Sequence, residues 1–335
     1  MGIAFPGKVL VTGAGGFIGS ALCARFASSG VAHVAAVRTL APQNAKRPAY
    51  VALGDFAAAE WDEVLKGVDA IVHLAGRTHA RDSEADSPTP YIVANVHVTR
   101  RLADAAAKSG VRRVVFASSV KVFGETTEPG RPFRAGDPSA PQGHYAKSKL
   151  EAEHVLREIC GERGIDAIVL RLPLTYGPGV KGNFRALLEA VAAERRLPLG
   201  GIVNRRSLLY LGNALSAIEA ALLAPAMPSE PLPIADAQPL STPELVKRLA
   251  HALRVRPRLF HVPEPFLRGA AVLLARHGAM ARLLGSLEVD TLRFSGLTGW
   301  SPSHTVDEGL AATAAWWRMR SARLTGPASH IGAAE

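Results

Sequence analysis

The stretch Lys8–Gly19, KVLVTGAGGFIG, begins with a short apolar run and continues directly into three evenly spaced glycines. Lys8–Thr12 has the length and the β-branched residues of a strand that is buried on both faces. Gly13, Gly16 and Gly19 form a G-x-x-G-x-x-G loop that opens the next helical stretch. A strand, a glycine-rich turn and a helix in this order indicate the first unit of a parallel α/β fold.

Further apolar runs of the same kind follow, with room for a helix between them. They are His33–Val37, Ala70–Leu74, Arg113–Ala117 and Ala167–Leu172. The helical stretches Ser20–Ser29 and Val96–Ser109 are each closed by a glycine, the usual residue just beyond a helix end. This alternation predicts an α/β fold: a Rossmann doubly wound parallel sheet over residues 1–172, with helices on both faces.

The second half of the chain has a different composition. Glycine and proline become frequent in LPLTYGPGVKGNF, residues 172–184. Ser241-Thr-Pro-Glu244 is a capping box with a proline just inside the helix, so a helix is expected from there to about Leu253. We expect a smaller substrate-binding lobe over 173–320, with strands or helices returning to the sheet within 205–236, and a flexible tail over 321–335.

Composition and charge limit the class of protein. The chain has 335 residues, of which 48% are hydrophobic and 20% charged, and this composition excludes intrinsic disorder. Its formal net charge of +10 favours an anionic ligand. Cys23 and Cys160, the only cysteines, cannot form a disulfide framework or a cysteine-rich zinc site, which predicts a reducing, cytoplasmic location. The histidines show no metal-binding spacing, so no metal site is expected.

No secretory or membrane-spanning segment is expected. The stretch 266–284 is basic and amphipathic, and it either lies on a membrane surface or packs as a helix on a core. Arg268, Arg276 and Arg282 interrupt it too often for it to span a bilayer.

The glycine loop predicts a dinucleotide site. Glycines allow the backbone to approach a pyrophosphate, and the helix that opens at Phe17, Ile18 and Gly19 directs free N–H groups at it. An acidic residue about 20 positions further on would bind the ribose of NAD. Arg38 stands there instead, and no acid precedes Asp55. Arg38 favours NADP, because it can pair with the 2′-phosphate of that cofactor. NAD remains possible, with Arg38 stacked on adenine. Asp55 would suit the adenine amino group.

A second pattern predicts acid–base chemistry. Tyr145 and Lys149 are four residues apart on a predicted helix and face the same side. A phenol ordinarily titrates near pH 10, and a neighbouring ammonium lowers its pKa toward neutrality. Ser119, at the end of the predicted strand that begins at Arg113, can donate a hydrogen bond to a reacting oxygen.

Five motifs together resemble the extended short-chain dehydrogenases/reductases that act on nucleotide sugars. They are TGAGGFIG at 12–19, HLAG at 73–76, SSVKVFG at 118–124, YAKSK at 145–149 and LRLPLTYGPG at 170–179. The resemblance implies that Tyr145 is the acid/base, that Lys149 positions it and binds the nicotinamide ribose, and that Ser119 orients the sugar oxygen. By the same resemblance Leu74, Ala75, Gly76 and Asn95 belong to the cofactor site. Phe123 replaces the tyrosine that many members carry.

The later motifs look like the branch that contains UDP-hexose 4-epimerases and UDP-N-acetylquinovosamine-type 4-keto reductases. That resemblance implies nucleotide contacts from Asn183 and Phe184 and a diphosphate contact from Arg206, unless Arg206 forms only a surface salt bridge. Classical epimerases carry another diphosphate-binding arginine in an R-x-G-D motif. That arginine is missing here before Leu297-Thr-Gly-Trp300, and Arg282 is a possible replacement. His79 contacts the hexose or is a solvated loop residue.

Three functions follow from these observations. The first is NADPH-dependent reduction of a UDP-linked 4-keto-6-deoxy-N-acetylhexosamine type of sugar. The second is a UDP-hexose 4-epimerase with tightly bound NAD. The third is a non-catalytic redox sensor or nucleic-acid-binding protein, which the scattered arginines and intact Ser119, Tyr145 and Lys149 disfavour, so no nucleic-acid partner is expected. By resemblance we also expect a homodimer, formed through helices at about 95–108 and 145–160, and a role in surface-polysaccharide synthesis.

Overall fold

The computed structural model describes residues 7–44, 49–78, 87–225, 227–263, 265–266 and 284–325. A seven-stranded parallel sheet forms its centre, in the order β3-β2-β1-β4-β5-β6-β9. The strands are β1 Val9–Thr12, β2 His33–Val37, β3 Tyr50–Ala52, β4 Ala70–His73, β5 Arg113–Ser119, β6 Asp166–Leu172 and β9 Leu232–Pro233. A separate parallel pair consists of β7 Leu174–Tyr176 and β8 Leu208–Tyr210.

Helices cover both faces of the sheet, and further helices build the second half of the chain. In chain order they are α1 Phe17–Ser28, α2 Trp61–Val64, α3 Thr89–Tyr91, α4 Val98–Lys108, α5 Gly143–Glu162, α6 Gly182–Ala192, α7 Leu211–Leu223, α8 Thr242–Leu253, α9 Leu292–Thr298 and α10 Val306–Thr325. A π-helical turn, Ile92–His97, joins α3 to α4, and short 3-10 turns occur at Pro42–Asn44 and Val120–Val122.

Alternating residues of the strands build two separate cores. On β1, Val9 and Val11 pack into the core that α1 and α7 cover, whereas Leu10 packs into the core that α4 and α5 cover. Side chains buried on both faces require a helical layer on each side, as a doubly wound sheet provides. The predicted fold class is therefore confirmed, and the five predicted strands agree with the structure to within two residues at each end.

A third core lies in the second half of the chain, where α6, α8 and α10 pack around Tyr176, Leu249 and Leu310. The predicted start of α8 is confirmed, because the Ser241 hydroxyl accepts a hydrogen bond from the backbone N–H of Glu244 at 3.2 Å. The division into two domains at residue 172 stays a prediction, although β9 adds a strand to the main sheet from within the second half.

Residues 321–325, the first part of the predicted flexible tail, belong to a helix. Helix α10 continues to Thr325 and packs against α8, and Arg318 donates to the carbonyl oxygen of Ala252 near the end of α8 at 2.8 Å. Residues 326–335 lie outside the described part of the chain. None of the helices in the described residues is long and apolar enough to cross a membrane.

Candidate active site

The glycine loop lies at the carboxyl edge of the sheet, between β1 and α1. Gly13 has a φ of +68°, and a side chain there would come within 2.8 Å of the backbone of Leu74 and Ala75. A side chain at Gly19 would collide with the carbonyl oxygen of Gly13. Glycine is therefore required at both positions, because the loop is packed between the end of β4 and the start of α1.

This loop forms one wall of a cleft that suits a pyrophosphate. Gly16 is the N-cap of α1, so the first backbone N–H groups of the helix have no partner within the helix and favour an anion. A cavity of about 230 Å³ lies against the loop and is closed on its other side by Pro178, Gly179 and Lys181. The residues present therefore fit a dinucleotide, and Lys181 adds a cation that the sequence analysis did not identify.

The predicted adenosine contacts lie along the same edge. Arg38 follows β2 and Asp55 follows β3, and both are exposed. Hydrogen bonds from the N–H of Gly54 to the oxygen of Arg38 at 3.1 Å, and from Leu53 to Val37 at 2.9 Å, hold these two loops side by side. The structure thus brings Arg38 and Asp55 together next to the glycine loop.

Asn95 is buried, and its side chain is occupied by other groups of the protein. Its Oδ1 accepts from the N–H of Arg77 at 2.7 Å, and its Nδ2 donates to the hydroxyl of Ser148 at 2.9 Å. These hydrogen bonds tie the side chain to the protein, and its contact with the cofactor stays a prediction. Asn95 fixes the loop at Leu74–Arg77 against the helix that carries Tyr145, because a buried amide satisfies its donors and acceptors with the nearest backbone.

Ser119, Tyr145 and Lys149 meet at the same edge. Ser119 ends β5, and Tyr145 and Lys149 occupy the first two turns of α5, one turn apart. Lys149 is buried, and its Nζ lies 4.0 Å from the centre of the Phe116 ring on β5. The structure therefore brings together the three predicted catalytic residues, which the chain separates by up to 30 positions.

Burial moves the pKa values of the two ionisable groups in opposite directions. It raises the pKa of the half-buried Tyr145 phenol to about 12, although a hydrogen bond with Ser119 works against this change. It lowers the pKa of Lys149 to about 7, and the Glu153 carboxylate works against that change. The sequence argument expected a lowered pKa for Tyr145. It neglected the loss of water around the phenol, which disfavours the phenolate.

A buried ion pair joins α5 to the sheet, and the sequence analysis missed it. Arg171 on β6 forms two hydrogen bonds to the Glu153 carboxylate, at 3.1 and 2.7 Å, and the Ser118 hydroxyl donates to the same group. Glu153 follows Lys149 by four residues, as Lys149 follows Tyr145, so all three lie on one face of α5. This four-residue spacing was the signal in the sequence that could have identified Glu153.

A second buried network links the glycine loop to the catalytic helix. The Thr99 hydroxyl donates to the carbonyl of Asn95, so Nε2 of His73 must be the donor in its 3.0 Å hydrogen bond to Thr99. Nδ1 of His73 then accepts from the hydroxyl of Thr12 at 2.7 Å. Burial, with a smaller contribution from Lys149, lowers the pKa of His73 to about 3, so this histidine is neutral.

The predicted diphosphate contact, Arg206, lies in the second half of the chain beside the segment that begins at Leu284. Arg206 is half-buried, and one of its guanidinium nitrogens donates to the carbonyl of Gly285 at 2.7 Å. Its neighbour Arg205 is exposed and pairs with Glu288 at 2.9 Å. The segment 286–290 also bonds to Thr127 and Phe133, in the loop that follows Ser119. The structure therefore connects this substrate side to the catalytic side.

Two of the remaining predicted substrate residues have different environments. Asn183 is exposed at the start of α6. Phe184 has a fully buried side chain that stacks on Tyr176 with ring centres 5.2 Å apart, so this side chain belongs to the third core, and the contact of Phe184 with the nucleotide stays a prediction. His79 and Arg282 lie outside the described residues, as does most of the stretch 266–284. No group of metal-binding side chains occurs within the described part of the chain.

Comparison with known proteins connects this geometry to a family. Residues 9–232 match the model of the NAD dependent epimerase/dehydratase family. A UDP-glucose 4-epimerase of Vibrio cholerae is 34% identical over 313 residues, which cover 92% of this chain and 95% of that protein. An N-acetyl-alpha-D-glucosaminyl-diphospho-ditrans,octacis-undecaprenol 4-epimerase of Escherichia coli O157:H7 is 30% identical over 262 residues, covering 77% of this chain and 76% of that protein.

Solved structures agree with this result. MoeE5, solved in complex with UDP-glucose and NAD, has a TM-score of 0.74 and 26% sequence identity, and the match covers 94% of this chain and 100% of that one. A Bacillus cereus UDP-glucuronic acid 4-epimerase, solved with UDP-glucuronic acid and NAD, shares the fold, with a TM-score of 0.77 at 21% identity and coverage of 93% and 99%. The predicted resemblance is confirmed, and the chain belongs to the NAD dependent epimerase/dehydratase family of enzymes.

Proposed function

We propose that this protein is a UDP-hexose 4-epimerase that retains NAD through the catalytic cycle. The observation that carries the proposal is the convergence of Ser119, Tyr145 and Lys149 beside the glycine loop. The similarity over 92% of the chain to a UDP-glucose 4-epimerase supports the same reaction. Sequence reasoning had placed the 4-keto reductase first, and the comparisons do not support that order.

Each residue has a distinct task in this proposal. The glycine loop and the first turn of α1 bind the cofactor's diphosphate, with Lys181 facing them across the cleft. Oxidised NAD, when bound, would supply the hydride acceptor for carbon 4 of the hexose and a positive charge that favours the phenolate of Tyr145. Tyr145 removes the proton of the 4-hydroxyl group and returns it after the keto sugar has rotated to present its other face.

Lys149 and Ser119 prepare Tyr145 for that exchange. Burial lowers the pKa of Lys149 to about 7, and the charged form of this lysine stabilises the phenolate. Ser119, which already bonds Tyr145, orients the sugar oxygen. Arg206 is suited to the diphosphate of the substrate because guanidinium binds two phosphate oxygens at once.

The experiment that tests the proposal measures turnover without added cofactor. Purified protein is incubated with UDP-galactose, and formation of UDP-glucose is followed by chromatography, with Tyr145→Phe as the inactive control. The nucleotide released on denaturation is identified in parallel. Conversion without added nicotinamide nucleotide, together with near-stoichiometric release of NAD, is the expected result. A protein that releases no nucleotide and shows no conversion when NAD is supplied contradicts the epimerase.

One observation favours the second candidate, an NADPH-dependent 4-keto sugar reductase. Arg38 stands at the end of β2 where an acid would bind the ribose of NAD, and it is exposed beside the glycine loop. The reductase requires tighter binding of NADPH than of NADH, and that preference must disappear in Arg38→Ala. Consumption of NADPH in proportion to product distinguishes this reaction from epimerisation, which has no net redox change.

Assembly and location are further proposals. Helices α4 and α5 pack on each other, and in the proposed homodimer they meet their counterparts from a second chain. Light scattering on the purified protein tests this, with a monomer mass of 35.4 kDa as the reference. A cytoplasmic location and a role in polysaccharide synthesis stay predictions.

A further inference from the structure

Two segments in the second half of the chain, residues 195–203 and 254–261, lie side by side. Both are distant in sequence from the proposed catalytic residues. The N–H of Leu197 donates to the carbonyl of Arg258 at 2.8 Å, and the N–H of Phe260 donates to the carbonyl of Leu197 at 3.1 Å. The N–H of Gly200 donates in turn to the carbonyl of Phe260 at 3.0 Å. We call the surface formed by residues 195–203 and 254–261 the basic face.

The basic face concentrates positive charge. Glu194 is the single acid in the stretches 194–203 and 254–263, and its carboxylate is paired with Arg258 at 3.4 Å. The exposed arginines of this face are Arg195, Arg196, Arg254, Arg256 and Arg258. A surface with five cations and one paired acid carries a strong local positive potential, which attracts a polyanion.

Exposed apolar side chains stand among these cations. Val203 is 96% exposed, and Phe260 is exposed with the Arg196 guanidinium 5.4 Å from its ring centre. Phe266, which follows the face in sequence, is 71% exposed. Exposed apolar side chains on a surface rich in arginine, with one arginine directly against the Phe260 ring, are typical of surfaces that bind a lipid headgroup layer.

The backbone brings the two arginine-rich segments together at some cost. Glu194 has a φ of 49° and Arg254 a φ of 62°, the left-handed conformation that usually calls for glycine. These two residues follow the ends of α6 and α8, where the chain turns into each segment. Among the described residues they are the only two other than glycine with positive φ, so the strain is confined to this face.

We propose that the basic face binds the surface of a bilayer that contains anionic phospholipid. Each exposed arginine near such a surface is attracted to the headgroups, and Val203, Phe260 and Phe266 add apolar burial. A nucleic acid would satisfy the arginines but would leave these apolar side chains in water, so the observations favour the bilayer. The binding does not depend on the proposed activity and is measured without substrate.

The test is co-sedimentation of the full chain with vesicles. Vesicles of phosphatidylglycerol and phosphatidylethanolamine are compared with vesicles of phosphatidylcholine alone, at low and high salt. The variant Arg195→Gln/Arg196→Gln removes two charges from the basic face, and Phe260→Ser removes an apolar group. Arg112→Gln/Arg163→Gln removes two exposed charges elsewhere and is the matched control.

We expect binding to the anionic vesicles only, weakened by salt. Each arginine removed from the basic face reduces the partition coefficient about five-fold, so the double variant loses about 25-fold. The partition coefficient falls several-fold in Phe260→Ser. It falls less than two-fold in the control variant, because the two charges removed there lie outside the basic face. UDP-hexose turnover is unchanged in all three variants, or equally absent if the proposed function is wrong.

Three results overturn the proposal. The first is no sedimentation of the unaltered protein with anionic vesicles. The second is an equal loss in the control variant, which reduces the effect to net charge. The third is binding of duplex DNA as tight as vesicle binding and insensitive to Phe260→Ser, which assigns the basic face to a nucleic acid.

Discussion

Two arginine–glutamate pairs in this protein have nearly the same length and very different surroundings. Arg171 and Glu153 are 2.7 Å apart and 4% and 0% exposed, whereas Arg205 and Glu288 are 2.9 Å apart and 60% and 11% exposed. The buried pair cannot lose one partner without leaving a charge in the core, but the exposed Arg205 can exchange its partner for water. Distance alone therefore does not distinguish a structural pair from an adjustable one.

The two pairs belong to the two groups of residues to which the proposed function gives catalysis and substrate binding. The catalytic side consists of Ser119 with the first turns of α5, and its polar groups are held by buried partners. The substrate side consists of Asn204–Ser207 with 285–288, and there a buried amide, Asn204, anchors two more accessible arginines. A rigid side aligns the reacting atoms, and a side with accessible cations can receive ligands of different shape.

Removal of the Tyr145 hydroxyl group is expected to have the largest effect among the changes to the rigid side. We expect Tyr145→Phe to lower kcat by about 100- to 10,000-fold, because proton transfer to the 4-hydroxyl oxygen loses its only acid/base, while cofactor affinity stays within two-fold. Turnover and NAD titration measure the two effects. Tyr50→Phe, on β3 and away from the site, is the control. Turnover retained in Tyr145→Phe would remove this residue from the mechanism.

The two pairs themselves are compared by a second test. Glu153→Gln leaves Arg171 charged and unpaired in the core, so the free energy of unfolding falls by about 3–5 kcal/mol. Glu288→Gln changes it by less than about 1 kcal/mol, because the arginine left behind, Arg205, is exposed to water. Urea denaturation measures both. In Glu153→Gln/Arg171→Met the unpaired charge is gone, and most of the stability returns. Equal losses in the two single variants would contradict the distinction.

Glu153→Gln also changes the pH dependence of turnover. The Glu153 carboxylate raises the pKa of Lys149, so its removal moves that pKa below its value of about 7. Activity that needs charged Lys149 is lost as pH rises through this pKa, and the loss therefore begins at lower pH in the variant. The profile of kcat/KM, which reports the free enzyme, is the measurement. A purely structural role of Glu153 would leave the profile in place.

His73 tests the buried network at low pH. Its pKa is about 3 in the fold and about 6.5 when unfolded, so between these pH values the unfolded chain binds a proton that the folded chain does not. Stability contributed by neutral His73 is present above pH 6.5 and is lost as pH falls, by up to about 1.4 kcal/mol per pH unit. We expect His73→Gln to flatten this slope, measured by denaturation across the range, and His33→Gln to leave it.

Local pattern predicted much of this molecule, and long-range pairing accounts for what it missed. The strands, the glycine loop and the Tyr145–Lys149 spacing follow from periodicity within a few residues. The partners of Glu153 and His73 come from other elements, Arg171 on β6 and Thr12 on β1, and only the register of the sheet joins them. The burial of the Phe184 side chain was not predicted for the same reason, since it depends on Tyr176 and on α8.

Lys181 offers the finest test of whether exposed cations matter on the cofactor side as well. It is exposed, and it faces the glycine loop across the cavity where the diphosphate is proposed to bind. A single exposed charge near a phosphate contributes at most about 1 kcal/mol, so Lys181→Gln should weaken NAD binding by no more than about five-fold, and only at low salt. Affinity for adenosine, which has no phosphate, should not change. Arg185→Gln, one turn further along α6 and paired with Glu189, is the matched control. An equal loss for NAD and adenosine would show that Lys181 shapes the cleft through packing and not through its charge.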